Sequence, residues 1–185
     1  MELGVRNAQE PAPLAIVDVH YTGSSAVAAC AIAMRWTDEM PFEEQTTTLA
    51  SVRPYTPGAF FERELPCIVQ ALSLVRTQYR AVVIDGYVDL DERGAPGLGG
   101  HLHERFQGAV AVIGVAKTAY RGSAFAARVF RGSSRRPLFV TARGVPLDEA
   151  ARLVQQMHGT NRIPTLIKRV DSLARGKPLP PLADA

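Results

Sequence analysis

LAIVDVHY, residues 14–21, is the stretch on which the rest of the chain depends. Four mostly apolar residues lead into Asp18, and Val19, His20 and Tyr21 continue the run, so a buried strand carries one carboxylate at its centre. A carboxylate removed from water must shift its pKa or find a partner, either a hydrogen-bond donor or a metal ion. AVVIDG, residues 81–86, repeats the pattern and ends on Asp85. Either aspartate alone reads as a hydrogen-bonded strand residue. On adjacent strands, with Asp85 at a C-terminal strand end where open α/β sheets bind ligands, the pair suits Mg²⁺ or Mn²⁺, hard ions that prefer oxygen.

Outward from the first strand, TGSS at 22–25 is a turn, and the apolar residues 26–36 form the returning strand of a hairpin. Residues 43–52, with three consecutive threonines, give a third antiparallel strand. RPYTPG, residues 53–58, is stiffened by two prolines. Phe60, Phe61, Leu65, Ile68, Val69, Leu72 and Val75 then recur at spacings of three and four, which predicts an amphipathic helix to residue 79 with Pro66 near its first turns. The strand at 81–85, a glycine-rich loop, a short helix at 101–106 and a strand at 109–115 imply a parallel crossover. Strands at 124–130 and 137–141 and helices after Pro146 and over 166–174 complete the pattern. The expected organisation is a loose lead-in at 1–13, one domain at 14–175 and a loose proline-rich tail at 176–185. The expected class is α/β: a mixed sheet, antiparallel meander first and parallel strands after it, flanked by helices.

With 185 residues, 46% of them hydrophobic, the chain supports one buried core. Its net charge of +3 is modest, but residues 105–143 hold eight Lys or Arg and no Asp or Glu. That distribution makes one basic face, a feature suited to a phosphate backbone. The apolar runs at 26–34 and 109–116 are about half of the roughly 20 residues that span a bilayer, so no membrane helix is expected. Cys30 and Cys67 lie in apolar surroundings without metal-ligand spacing, and the first residues lack a secretory pattern, so a reduced, cytoplasmic monomer is expected.

Two further residues have a structural and a functional reading. Glu64, near the start of the long helix, reads by spacing as a solvated charge favoured by the helix dipole. Lys117 ends the apolar strand beside Asp85, as a solvated lysine or as electrostatic help for a phosphate.

LAIVDVHY, RPYTPGAFFERE, VVIDG, GLGGHL, IGVAKT and PLFVT, in that order, resemble the endonuclease V (deoxyinosine 3′ endonuclease) family over about residues 14–174. The combination of PYxPG, RE, DG and GVAK is the specific part. The resemblance implies a ribonuclease H-like fold and hydrolysis, with one or two Mg²⁺ ions, of a phosphodiester near deaminated adenine (inosine) in DNA or RNA. It places Asp18 and Asp85 on metal-binding aspartates, Glu64 on the catalytic, metal-binding glutamate and Lys117 on the lysine of GVAK. Tyr55, Pro57 and Gly58 fall on the strand-separating wedge, and His101 on the histidine of the SHL stretch. Arg121, Arg135, Arg136 and Arg143 are expected to follow the nucleic-acid backbone. Two family motifs depart here. Asp91 stands where DGxGxAHPR has its histidine, and PLFVTARG at 137–144 lacks the histidine of PLYVSPGH. Those losses leave an alternative: a nucleic-acid-binding module on the same fold that cleaves weakly or not at all.

Overall fold

The computed structural model describes residues 12–54, 60–120 and 124–182. In chain order the elements are β1 (Leu14–Thr22), β2 (Ser25–Ala33), β3 (Glu43–Leu49), α1 (Phe60–Leu74), β4 (Ala81–Ile84), α2 (Leu98–Arg105), β5 (Ala111–Ala116), β6 (Ala127–Val129), β7 (Leu138–Arg143), α3 (Leu147–Gln156) and α4 (Thr165–Ala174). The strands form one seven-stranded sheet in the order β3-β2-β1-β4-β5-β7-β6. The antiparallel meander is present, β1 to β4 to β5 is parallel, and β7 and β6 close the far side antiparallel.

Alternation along β1 builds both faces of the core, because successive side chains on a strand point to opposite sides. Leu14 and Ile16 join Val83, Ile113, Leu153 and Val170 under α3 and α4. Ala15 and Val17 join Cys30, Val82, Ile84, Ile68 and Leu102 under α1 and α2. Cys30 and Cys67 are free and buried. No helix among the described residues is long and apolar enough to cross a membrane.

Three differences from the periodicity stand out. The amphipathic spacing runs on to residue 79, yet α1 stops at Leu74. The Glu43 carboxylate accepts the Arg76 N–H at 2.9 Å and the Thr77 N–H and hydroxyl at 3.1 and 2.8 Å, drawing the chain out of the helix. Pro66 lies inside α1 rather than at its first turns. It cannot donate to the carbonyl four residues back. The third difference is α2, which begins at Leu98 and takes in a Gly-Gly pair that reads as loop. A Cβ on Gly99 would meet Val88 Cγ2 at 2.7 Å, and one on Gly100 the Val88 carbonyl oxygen at 2.8 Å. Those glycines let the helix lie against the segment after β4, a packing role that outweighs their poor helix propensity.

Arg131, part of the basic run, turns inward and is 3% exposed. It donates to the carbonyls of Val154, Gln155, Met157 and Gly159 at 2.6–2.9 Å, at the C-terminal end of α3. These are groups that a helix end leaves without partners. Nor is the tail wholly loose, since the Pro180 carbonyl accepts from Arg169, which also pairs with Glu44 at 2.5 Å.

Candidate active site

The pairing of β1 with β4 ends at Val17 and Ile84, whereas β1 continues to Thr22. Past that point the β4 side of β1 is open, and the chain leaves at Gly86 with φ of 143°. The site occupies this notch. By the alternation above, Asp18 follows Leu14 and Ile16, and Asp85 follows Val83, so both carboxylates face α4. There Asp171 on α4 lines the same space, together with Ile167 and Lys117. A cavity of about 290 Å³ extends from it and is lined by Asp18, Tyr21, Glu64, Asp85, Lys117, Asp171 and Arg175.

Each charge is set by its surroundings. Burial, and then the Asp85 charge, push the Asp18 carboxyl up to about 6. Glu64 is 6% exposed, so it is not the solvated helix charge that its spacing suggests. Burial first, then Asp18 and Asp85, push its carboxyl up to about 8. Its Oε2 has no hydrogen-bond partner. The neighbouring Arg63 lies with its guanidinium carbon 3.8 Å from the centre of the Tyr21 ring, a cation-π contact. Lys117 Nζ donates to Asp85 Oδ2 at 2.5 Å. Burial opposes the ammonium, but that hydrogen bond and the Asp85 charge prevail and hold it above an ordinary lysine. The backbone of Lys117 is fixed from behind by Arg162, which donates to the carbonyls of Lys117 and Pro137.

Among the described residues, no group of three or more His, Cys, Asp or Glu side chains is drawn together tightly enough to hold an ion. Instead, Lys117 is paired with Asp85, and Arg175 Nε with Asp171 Oδ1 at 2.9 Å. The donor chemistry nevertheless fits a hard divalent cation: the carboxylates of Asp18, Glu64, Asp85 and Asp171 line one cavity, and a buried oxygen of Glu64 lacks any donor.

A second cavity of about 320 Å³ adjoins the first at Asp85 and has Phe60, Phe61, Tyr87, Leu90 and Tyr120 in its walls. Tyr87 is anchored, its hydroxyl donating to the Thr118 carbonyl at 2.8 Å and accepting the Tyr120 N–H at 3.1 Å. His101 stacks on Phe61 with centroids 3.7 Å apart, supporting that wall from behind.

The sequence profile of endonuclease V matches residues 3–140, most of the chain. This chain belongs to the endonuclease V family. Membership makes it a nuclease by class, and solved members share its fold. Endonuclease V from Streptomyces avermitilis is 26% identical, with 88% of this chain and 79% of that one covered and a TM-score of 0.68. The Ciona intestinalis protein, solved with a 24mer DNA containing an inosine followed by a ribo-adenosine, is 21% identical over 88% and 84%, with a TM-score of 0.73. The catalytic domain of human endonuclease V is 20% identical over 88% and 80%, with a TM-score of 0.72. No curated protein sequence matches.

Within this family member, Asp18, Glu64, Asp85 and Lys117 converge as the motifs suggest. Tyr55, Pro57, Gly58 and Arg121 lie outside the described residues. Arg135 and Arg136 are exposed in the turn before β7. Because Phe139 pairs with Ala116, that turn is at the sheet edge that also carries Lys117. Arg143 is at the other end of β7, opposite Val112, and its fork is engaged by Asp89 at 2.7 Å, Glu104 at 3.1 Å and the Gly94 carbonyl at 2.9 Å. The motifs do not single out Asp171 or Arg175. Their signal is the spacing Ile167, Asp171, Arg175, one stripe at four-residue intervals along α4 and onto the residue that caps its C-terminal end.

Proposed function

We propose that this chain is a divalent-cation-dependent endonuclease that hydrolyses a phosphodiester bond in nucleic acid near deaminated adenine. The observation that carries the proposal is the convergence of Asp18, Glu64, Asp85, Asp171 and Lys117 in one cavity, beside a second cavity with aromatic walls. Relatives support the substrate, since one solved member holds inosine-containing DNA.

Asp18, Glu64, Asp85 and Asp171 would hold Mg²⁺ or Mn²⁺. Such an ion, when bound, lowers the pKa of a coordinated water and stabilises the charge on a leaving oxygen. The protein's own groups supply the rest. Glu64, unpartnered at Oε2, is the carboxylate whose charge is costliest without a cation, and its oxygen orients the attacking water. Lys117 hands its hydrogen bond from Asp85 to a phosphoryl oxygen as negative charge builds there. The aromatic cavity receives an unstacked base, where stacking on an aromatic ring is worth roughly 1–3 kcal/mol. Arg135 and Arg136 follow the strand beyond.

The test is cleavage of inosine-containing single- and double-stranded DNA and RNA with Mg²⁺ or Mn²⁺, with Asp85→Ala alongside. Nicking of at least one substrate, lost in the variant, is the expected outcome. Binding to all of them with cleavage of none would reduce the protein to the binding module that the two absent motif histidines suggest.

A further inference from the structure

The stripe on α4 has three members, and only two are explained by core and carboxylate chemistry. Ile167 packs into the core, Asp171 faces Asp18 and Asp85, and Arg175 lies one turn further on, at the rim of the same cavity. Its side chain remains 44% exposed, and among the described residues Nε bonded to Asp171 is its one side-chain hydrogen bond or ion pair. An exposed pair four residues apart on a helix is worth only about 0.3–0.5 kcal/mol, so it exchanges readily for a stronger partner. A guanidinium offers a rigid fork that matches two phosphate oxygens, which one carboxylate contact at Nε does not satisfy.

The cavity also needs the charge. Asp18, Glu64, Asp85 and Asp171 line it, and Lys117 and Arg175 are the cations in its wall. A phosphodiester approaching four carboxylates is repelled unless both cations turn towards it and further positive charge is bound.

We propose that Arg175 is a phosphate-binding residue of this site, gripping a backbone phosphate of the substrate strand from the α4 side and resting on Asp171 when that strand is absent. This rests on the endonuclease reading of the cavity. A cation taken up by Asp171 weakens the internal pair and frees the fork, so ion and strand favour each other's binding.

The measurement is equilibrium binding of fluorescent inosine-containing oligonucleotides, single- and double-stranded, with Ca²⁺ in place of Mg²⁺, over a salt series. For Arg175→Ala the expected result is a dissociation constant raised about tenfold, the scale of a lost charge-assisted contact. The slope of log K against log salt should fall by about 0.7–0.9, one phosphate contact. Arg175→Lys should recover the slope and only part of the affinity, because it restores charge without the fork. The melting temperature of all three proteins should agree, since the pair is exposed. An unchanged affinity and slope in Arg175→Ala, with the unaltered protein binding normally, overturns the role of Arg175 alone. Absence of binding by the unaltered protein overturns the endonuclease reading with it.

Discussion

Glu64 is a residue whose burial works against the fold and whose unpartnered oxygen suits the proposed cation site. Its carboxyl is raised from 4.5 to about 8, and Asp18 from 3.8 to about 6, mainly by burial. The folded state therefore holds these protons to higher pH than the unfolded chain does. Without a divalent cation, their contribution is fully present below about pH 4 and is lost as pH rises through 6 and then 8. At roughly 1.4 kcal/mol per pH unit the loss is several kcal/mol. We expect the melting temperature of metal-free protein to fall by on the order of 10 °C between about pH 5 and pH 8.5. Glu64→Gln should remove most of that slope while abolishing cleavage, and added Mg²⁺ should restore stability at high pH in the unaltered protein only. An equal slope in Glu64→Gln would show that burial of this carboxyl is not the cause. Asp18 and Asp85 were legible as strand carboxylates because an acid in an apolar run is conspicuous. Asp171 was not, because an aspartate on an amphipathic helix is ordinary until the helix is laid across the strand ends.

At the scale of elements, two of the departures from periodicity come from tertiary contacts, and a third such contact closes a helix end. Glu43 on β3 ends α1, and Val88 makes room for a glycine-bearing α2. Arg131, from the turn after β6, satisfies the end of α3. Helical spacing locates an amphipathic face but not the tertiary hydrogen bond that stops it, which is why the antiparallel meander and the parallel crossover were readable from residues 14–116 while helix limits were not. The Arg131 contact has a measurable weight. Replacing it by leucine strands several buried carbonyls, each costing about 1–3 kcal/mol when left unsatisfied, so a loss of about 3–5 kcal/mol is expected. Arg131→Leu should therefore lower the melting temperature by roughly 6–20 °C, without altering the salt dependence of nucleic-acid binding. A change in that salt dependence would mean that Arg131 meets phosphate, contrary to its inward orientation.

For the molecule as a whole, the basic run at 105–143 does not act as one face. Arg131 serves the fold and Arg143 is engaged by Asp89 and Glu104, while Arg135 and Arg136 stand exposed at the edge occupied by Lys117. The double variant Arg135→Ala with Arg136→Ala should reduce the slope of log K against log salt by about 1.4–1.8, with little change in catalytic rate for bound substrate. Retention of the full slope would exclude that turn from the interface. The short β4 bears on this protein's tolerance of improvement. A sheet gains by completing its ladder, and a selection for heat resistance alone would favour residues that prolong β4 alongside the free half of β1 past Val17 and Ile84. Every rung added there would fill the opening that the acids line. Stabilised descendants of this chain should therefore carry their gains in the meander or under α3 and α4, and keep an unfinished ladder at the centre.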